Sequence, residues 1–240
     1  MLGAIMYFCI WFPLQIIRLL WWNWTIEGLD NLPPRGKGMV LAINHLHWLD
    51  ILIIGASLPL SHRPSWIAKV EIFINRAIAW WFREMMVIPI KRGQRDLSAL
   101  SAAEEALKRG EVLIIFPEGH RSAQAGLLEG RGGAIRLAVR TNTPIVPIAI
   151  WGTEVGLKGA ARRKSLHFRI GKPYSIAIKG DKIPFDRMNE LTEEMMLRIA
   201  ELMPPQYWGF YRERMRTLTH VPLEDAGALP RPSDSPATHG

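Results

Sequence analysis

MVLAINHLHWLD (residues 39–50) joins two different kinds of sequence at Asn44. Its first half is a short apolar run after the turn-rich NLPPRGKG of residues 31–38, and it reads as a buried strand. Its second half sets His45, His47 and Asp50 at the carboxyl end of that strand. In an open α/β sheet, reactive groups collect in the crevice outside the strand ends. A histidine held by a carboxylate suits general-base work, because the carboxylate holds the ring by Nδ1 and leaves Nε2 to take a proton. Two histidines compete for Asp50. His47, three residues away, would share a helical face with it, whereas His45, five away, would stand ~140° around an ideal helix. His45 reaches Asp50 only if it precedes the helix, in the turn leaving the strand. Periodicity favours His47 and turn geometry admits His45, so the residues alone leave both open.

The same rhythm continues outward. Further strands are expected over residues 66–69, 85–90, 112–116, 144–151 and 166–170. Helices are expected over residues 48–58, 72–82, 96–110, 132–140 and 185–202, the third with Asp96 as N-cap and Gly110 at its end. Strands alternating with helices predict an α/β fold, a mostly parallel sheet covered by helices. FPEGHRS (residues 116–122) follows the apolar run VLIIF, so it also falls at a strand end and can converge with NHLHWLD. Gly119 would let its backbone turn tightly or approach a ligand.

With 240 residues, 48% of them hydrophobic and 22% charged, the chain can bury one sizeable core. A formal charge of +8 favours anionic partners: nucleic acid, anionic lipid or a phosphorylated substrate. Eight Lys or Arg against one acid between residues 155 and 182 strengthen that bias, toward anionic lipid or a phosphorylated donor. Cys9 is the only cysteine, which excludes an intrachain disulfide and a cysteine zinc site. It sits in an apolar run without a nearby base, unlike a reactive thiol.

Trp11, Trp21, Trp22 and Trp24 crowd the start of the chain, and such rings suit a membrane interface. The first 24 residues have no positive leader and no small-residue cleavage site, so they are expected to stay on the protein. Their uncharged run ends at Arg18 and is interrupted by Pro13, short of the ~20 apolar residues of a spanning helix. Gln15 and Arg18 share a helical face, which predicts a helix lying in the interface. In the alternative, a tilted span, Arg18, Arg35 and Lys37 would keep the following domain cytoplasmic, so both arrangements set it at the cytoplasmic face of the inner (plasma) membrane. The expected organisation is an anchoring segment over residues 1–30, a catalytic domain over 31–220 and a disordered tail over 221–240.

NHLHWLD resembles the NH-x4-D signature of the glycerolipid acyltransferases, the family of the lysophosphatidate (1-acyl-sn-glycerol-3-phosphate) acyltransferases. The resemblance implies that His45 is the base, that Asp50 orients it, and that His47 is a variable position. FPEGHRS is similar to the family's FPEGxRS block, with Glu118 standing 73 positions after His45. It implies that Glu118, Gly119 and Arg121 help hold the acceptor, Arg121 being suited to a phosphate through paired, charge-assisted bonds. VIPIKR (residues 87–92) occupies the place of an arginine-ended block, G-x-x-F-I-x-R, although Met86 and Pro89 stand at its Gly and Phe positions. It implies that Arg92 and its neighbour Lys91 meet the phosphate. VPIAI (residues 146–150) resembles a fourth block, in which Pro147 either shapes an acyl channel or ends a strand.

The resemblance spans roughly residues 30–180 and implies transfer of a fatty acyl group from acyl-CoA or acyl carrier protein to a lysolipid hydroxyl. Lysophosphatidate is the expected acceptor, with other lysolipids or lipid precursors as alternatives. No cofactor, metal or nucleic acid is expected to take part. Two rivals remain. A metal-dependent hydrolase would use His45, His47 and Asp50 as ligands, and a basic membrane binder would leave both motifs without a role.

Overall fold

The computed structural model describes residues 2–91, 96–178 and 183–219. The chain opens with helix α1 (Leu2–Leu20) and strand β1 (Trp24–Glu27), then continues β2 (Met39–Ile43), α2 (Asp50–Ser57), β3 (Pro64–Lys69), α3 (Arg76–Glu84) and β4 (Val87–Ile90). There follow α4 (Leu97–Lys108), β5 (Val112–Ile115), α5 (Gly133–Thr141), β6 (Ile145–Trp151), α6 (Gly156–Ala161), β7 (Leu166–Ile170), α7 (Phe185–Ala200) and α8 (Arg212–Thr219). The seven strands form one sheet in the order β1-β7-β6-β2-β5-β3-β4. All neighbours are parallel except β6 and β7.

β2 lies at the centre, and alternation along it separates two cores. Val40 and Ala42 join the layer under α4, α5 and α7, whereas Met39, Leu41 and Ile43 join the layer under α1 and α2. All five are fully buried, as the apolar run predicts for a strand covered on both faces. Asn44 ends this strand with both amide atoms committed: Nδ2 donates to the Ile150 carbonyl and Oδ1 accepts from the Ile150 N–H, each at 2.8 Å. Asn44→Ala would leave two buried backbone groups unpaired. It is expected to cost about 2–4 kcal/mol, read as a lowered denaturation midpoint.

α1 runs unbroken through Pro13, so the expected interruption does not occur. Its 19 residues are long and apolar enough to cross a membrane by length and composition. The helix also packs on α2 and α3. Side chains four residues apart serve the end of α2: Tyr7 donates to the Gly55 carbonyl (2.5 Å), Trp11 to Leu58 (3.0 Å) and Gln15 to Ala56 (2.6 Å). They satisfy carbonyls that the last turn of a helix leaves without partners. The polar face of α1 therefore turns inward, and Ile5, Phe8, Phe12, Ile16 and Leu19 face outward.

β1, α6 and α8 have no counterpart in the sequence expectations. β1 is a four-residue strand at the edge of the sheet, held by its register with β7 rather than by any apolar run of its own. Pro147 neither ends its strand nor lines the cavities described below. It lies inside β6, opposite Ala42 of β2, and its carbonyl accepts from the Gly171 N–H. The expected tail, and Lys179 and Lys182 of the basic run, fall outside the described residues.

Candidate active site

α2 begins at Asp50, two residues later than the apolar pattern predicts, so His45 and His47 both stand in the loop before it. The conformation of that loop decides the competition for the carboxylate. The Asp50 side chain is fully buried, and its Oδ2 accepts from the His45 ring Nδ1 (2.7 Å), the Leu46 N–H (2.7 Å) and the His47 N–H (2.9 Å). His47 contributes only its backbone. Its ring Nδ1 instead accepts from the Leu49 N–H at 3.2 Å. Burial, assisted by the Arg121 and His45 charges, outweighs Asp50 and lowers the His47 pKa below the ordinary histidine value.

The loop after β5 grips His45 from both sides of its peptide. Glu118 Oε1 accepts from the His45 N–H at 2.8 Å, and the Ser122 N–H donates to the His45 carbonyl at 2.9 Å. Glu118 Oε2 accepts from the Leu128 N–H at 2.9 Å, so both of its oxygens are used. The residue is 1% exposed and does not line the cavity beside His45, so the structure places this expected acceptor-holding residue behind the His45 peptide. Burial outweighs these two bonds and pushes its carboxyl up to about 7. Gly119 has φ +77°, a conformation that favours glycine in the turn after β5. The His45 ring also stacks on Phe116, with centroids 4.1 Å apart.

Two cavities have Phe116 of that stacked pair in their lining. One, of about 650 Å³, lies between α4 and α5 and is lined by His45, Lys91, Arg131, Arg136 and Arg140 over an apolar floor. The other, of about 230 Å³, lies between α1, α2, α3 and the sheet, and its lining includes Tyr7, Trp11, Gly55, Trp66 and Trp81. Phe116 and Ile67 line both.

Of the expected phosphate residues, Lys91 lines the larger cavity, while Arg121 is exposed, close enough to influence His47, and outside that lining. Arg92 lies outside the described residues. Asp96 caps α4 by accepting from the Ala99 N–H and also accepts from the Lys91 N–H (2.8 Å), which holds its carboxyl down at about 2. Among the described residues no group of three or more His, Cys, Asp or Glu side chains is placed to hold a metal ion. Arg131 and Arg136 escaped sequence reasoning. The only signal was an arginine set among glycines, GRGG at residues 130–133, just before α5.

A family model described as Acyltransferase matches residues 23–151, which include both strand-end loops. A chloroplastic 1-acyl-sn-glycerol-3-phosphate acyltransferase of Brassica napus is 32% identical over 178 residues, 72% of this chain and 51% of that protein. The 1-acyl-sn-glycerol-3-phosphate acyltransferase of Bacillus subtilis is 29% identical over 189 residues, 79% of this chain and 92% of that protein. The chain thus spans about half the length of the chloroplastic plant relatives and nearly all of the Bacillus subtilis protein. The crystal structure of the 1-acyl-sn-glycerophosphate acyltransferase PlsC from Thermotoga maritima superimposes with a TM-score of 0.61 at 26% identity, covering 82% of this chain and 78% of that one.

Proposed function

Because the chain belongs to the acyltransferase family, we propose that it moves a fatty acyl group from acyl-CoA or acyl carrier protein to the free hydroxyl of lysophosphatidate, giving phosphatidate. The names of the Brassica napus and Bacillus subtilis relatives support this acceptor. The observation that carries the reading is the 2.7 Å contact from His45 Nδ1 to Asp50 Oδ2 in a ring that borders the larger cavity.

An ionised Asp50 accepts the hydrogen of His45 Nδ1 and leaves Nε2 unprotonated toward the substrate. Nε2 takes the proton of the acceptor hydroxyl as its oxygen attacks the thioester carbonyl. The tetrahedral intermediate collapses, the carbon–sulfur bond breaks, and the thiolate recovers the proton from Nε2. No acyl-enzyme forms and no cofactor enters. Glu118 and Ser122 hold the His45 backbone, and Arg121, with Gly119 opening the turn beside it, takes the acceptor phosphate. Lys91 adds positive charge on the β4 side, and Arg92, next in sequence, keeps the phosphate role that the resemblance implies.

The apolar cavity takes an acyl chain. A side chain at Gly55 would enter it, because a Cβ there meets only Trp66 Cζ2 at 3.7 Å and the Tyr7 hydroxyl at 3.9 Å. Gly55→Leu is expected to shift preference severalfold toward shorter chains, measured by competition between dodecanoyl and octadecanoyl substrates, without loss of folding. The outward apolar row of α1, with the exposed Trp48 and Trp80, rests on lipid, and the basic domain sits at the cytoplasmic face of the inner membrane.

The deciding assay supplies detergent-solubilised protein with labelled acyl-CoA and a panel of lysolipids. Phosphatidate is the expected product. No acyl transfer to any lysolipid would sink the reading.

A further inference from the structure

The arginines of the α4–α5 cavity have no part in the roles given so far. Lys91, Arg131, Arg136 and Arg140 line it, with Asp96 its one acidic lining residue. Asp96 is occupied by the Lys91, Ser98 and Ala99 donors, and Arg140 is paired with Glu104 at 2.6 Å. Arg131 and Arg136 are left: among the described residues neither forms an ion pair or a side-chain hydrogen bond. Two arginines lining one cavity concentrate positive potential there and favour an anion within it.

Arg131 is set close to the reacting end. Its N–H donates to the Pro117 carbonyl, and its guanidinium lies so near Gly119 that a Cβ there would come within 3.3 Å of Cζ. Gly119 thus supplies the room in which this arginine rests, one residue from the carboxylate that holds His45. Arg136 follows on α5, on the face that it shares with Arg140 one turn on. Leu100, Ala103 and Leu137 supply apolar walls between α4 and α5, a lining suited to a ligand that joins phosphate to less polar parts.

The reaction proposed above has two phosphorylated substrates. Its acceptor phosphate is assigned to Arg121, which does not line this cavity, with Lys91 adding charge from the β4 edge of the lining. We propose that Arg131 and Arg136 form the subsite for the phosphate groups of the thioester donor, either the diphosphate of a coenzyme A thioester or the phosphodiester of a carrier-protein phosphopantetheine. This inference rests on the acyl-transfer reading. Planar guanidinium groups suit either ligand because they bind phosphate oxygens in pairs.

The test compares wild type with Arg131→Gln, Arg136→Gln and the double variant, each checked for an unchanged thermal unfolding transition. Calorimetry measures binding of free coenzyme A, and separate kinetic series give KM for acyl-CoA, for acyl carrier protein and for lysophosphatidate. The double variant is expected to raise the donor KM at least about tenfold, with the lysophosphatidate KM within about twofold of wild type. An effect on both donors identifies the phosphate next to the pantetheine arm as the ligand, and an effect on acyl-CoA alone identifies the nucleotide phosphates. Unchanged KM values for both donors, or a rise confined to lysophosphatidate, overturn the proposal. Calorimetry needs no turnover, so wild type that binds coenzyme A through these arginines but transfers no acyl group would refute the reaction and leave the subsite standing.

Discussion

His45→Ala is expected to lower kcat by about 10²–10⁴-fold, the range a positioned general base contributes, while the protein still folds. The fold should survive because the bonds that organise this loop run through its backbone. The His45 N–H goes to Glu118, its carbonyl to the Ser122 N–H, and the Leu46 and His47 N–H groups to Asp50. Removing the imidazole leaves all four in place. Asp50→Asn is expected to fall nearly as far, since the amide keeps an acceptor for the three donors but removes the negative charge that stabilises the imidazolium formed when Nε2 takes the proton. The decisive comparison is His47→Ala. That change removes only the ring that accepts from the Leu49 N–H ahead of α2, a capping-type contact worth about 1 kcal/mol. Its kcat should stay within severalfold of wild type. If His47→Ala loses as much activity as His45→Ala in the same phosphatidate assay, the assignment of the base is wrong.

Glu118→Gln is expected to lower kcat by at least about tenfold while the lysophosphatidate KM changes little. The amide replaces one acceptor oxygen with a donor, so its NH2 must face the N–H of either His45 or Leu128, at a cost of about 1–3 kcal/mol for the unpaired groups. The His45 loop then shifts against the cavity, which affects the chemical step rather than acceptor binding. A rise in KM at constant kcat would return Glu118 to the role of acceptor ligand.

Stability should move with pH for the same residue. Its carboxyl is raised from 4.5 to about 7 by burial, so between those values the folded protein holds a proton that the unfolded chain has released. Folding stability attributable to this group is therefore full below pH 4.5 and declines as pH rises toward 7, by roughly 3 kcal/mol in all. Denaturant midpoints at pH 5 and pH 8 measure that decline. Glu118→Gln should remove most of it, and an undiminished pH slope in the variant would refute the assignment.

Much of the architecture could be read from local patterns. The central strands are continuous apolar runs bounded by turn residues, and α4 carries its own capping aspartate. Edge strand β1 could not be read in this way. WTIE carries little apolar signal, and its pairing with β7 spans more than a hundred residues. The antiparallel turn of β7 was likewise invisible, because strand direction is a property of the connection and its packing.

For the site, the sequence by itself determined the inventory: two histidines and a carboxylate at one strand end, and a Glu-Gly-His-Arg turn at another. It also determined, through the family resemblance, which histidine to favour. Only the tertiary structure decided the turn between β2 and α2, in which the His45 ring comes back to Oδ2. Only the tertiary structure carried Glu118 across 73 positions to the His45 backbone N–H, and set Arg131 and Arg136 in the same cavity as His45. The physical reason is common to these cases. Residue type and periodicity act within a few neighbours along the chain, whereas loop conformation and the partners of buried polar groups are set by which elements pack together.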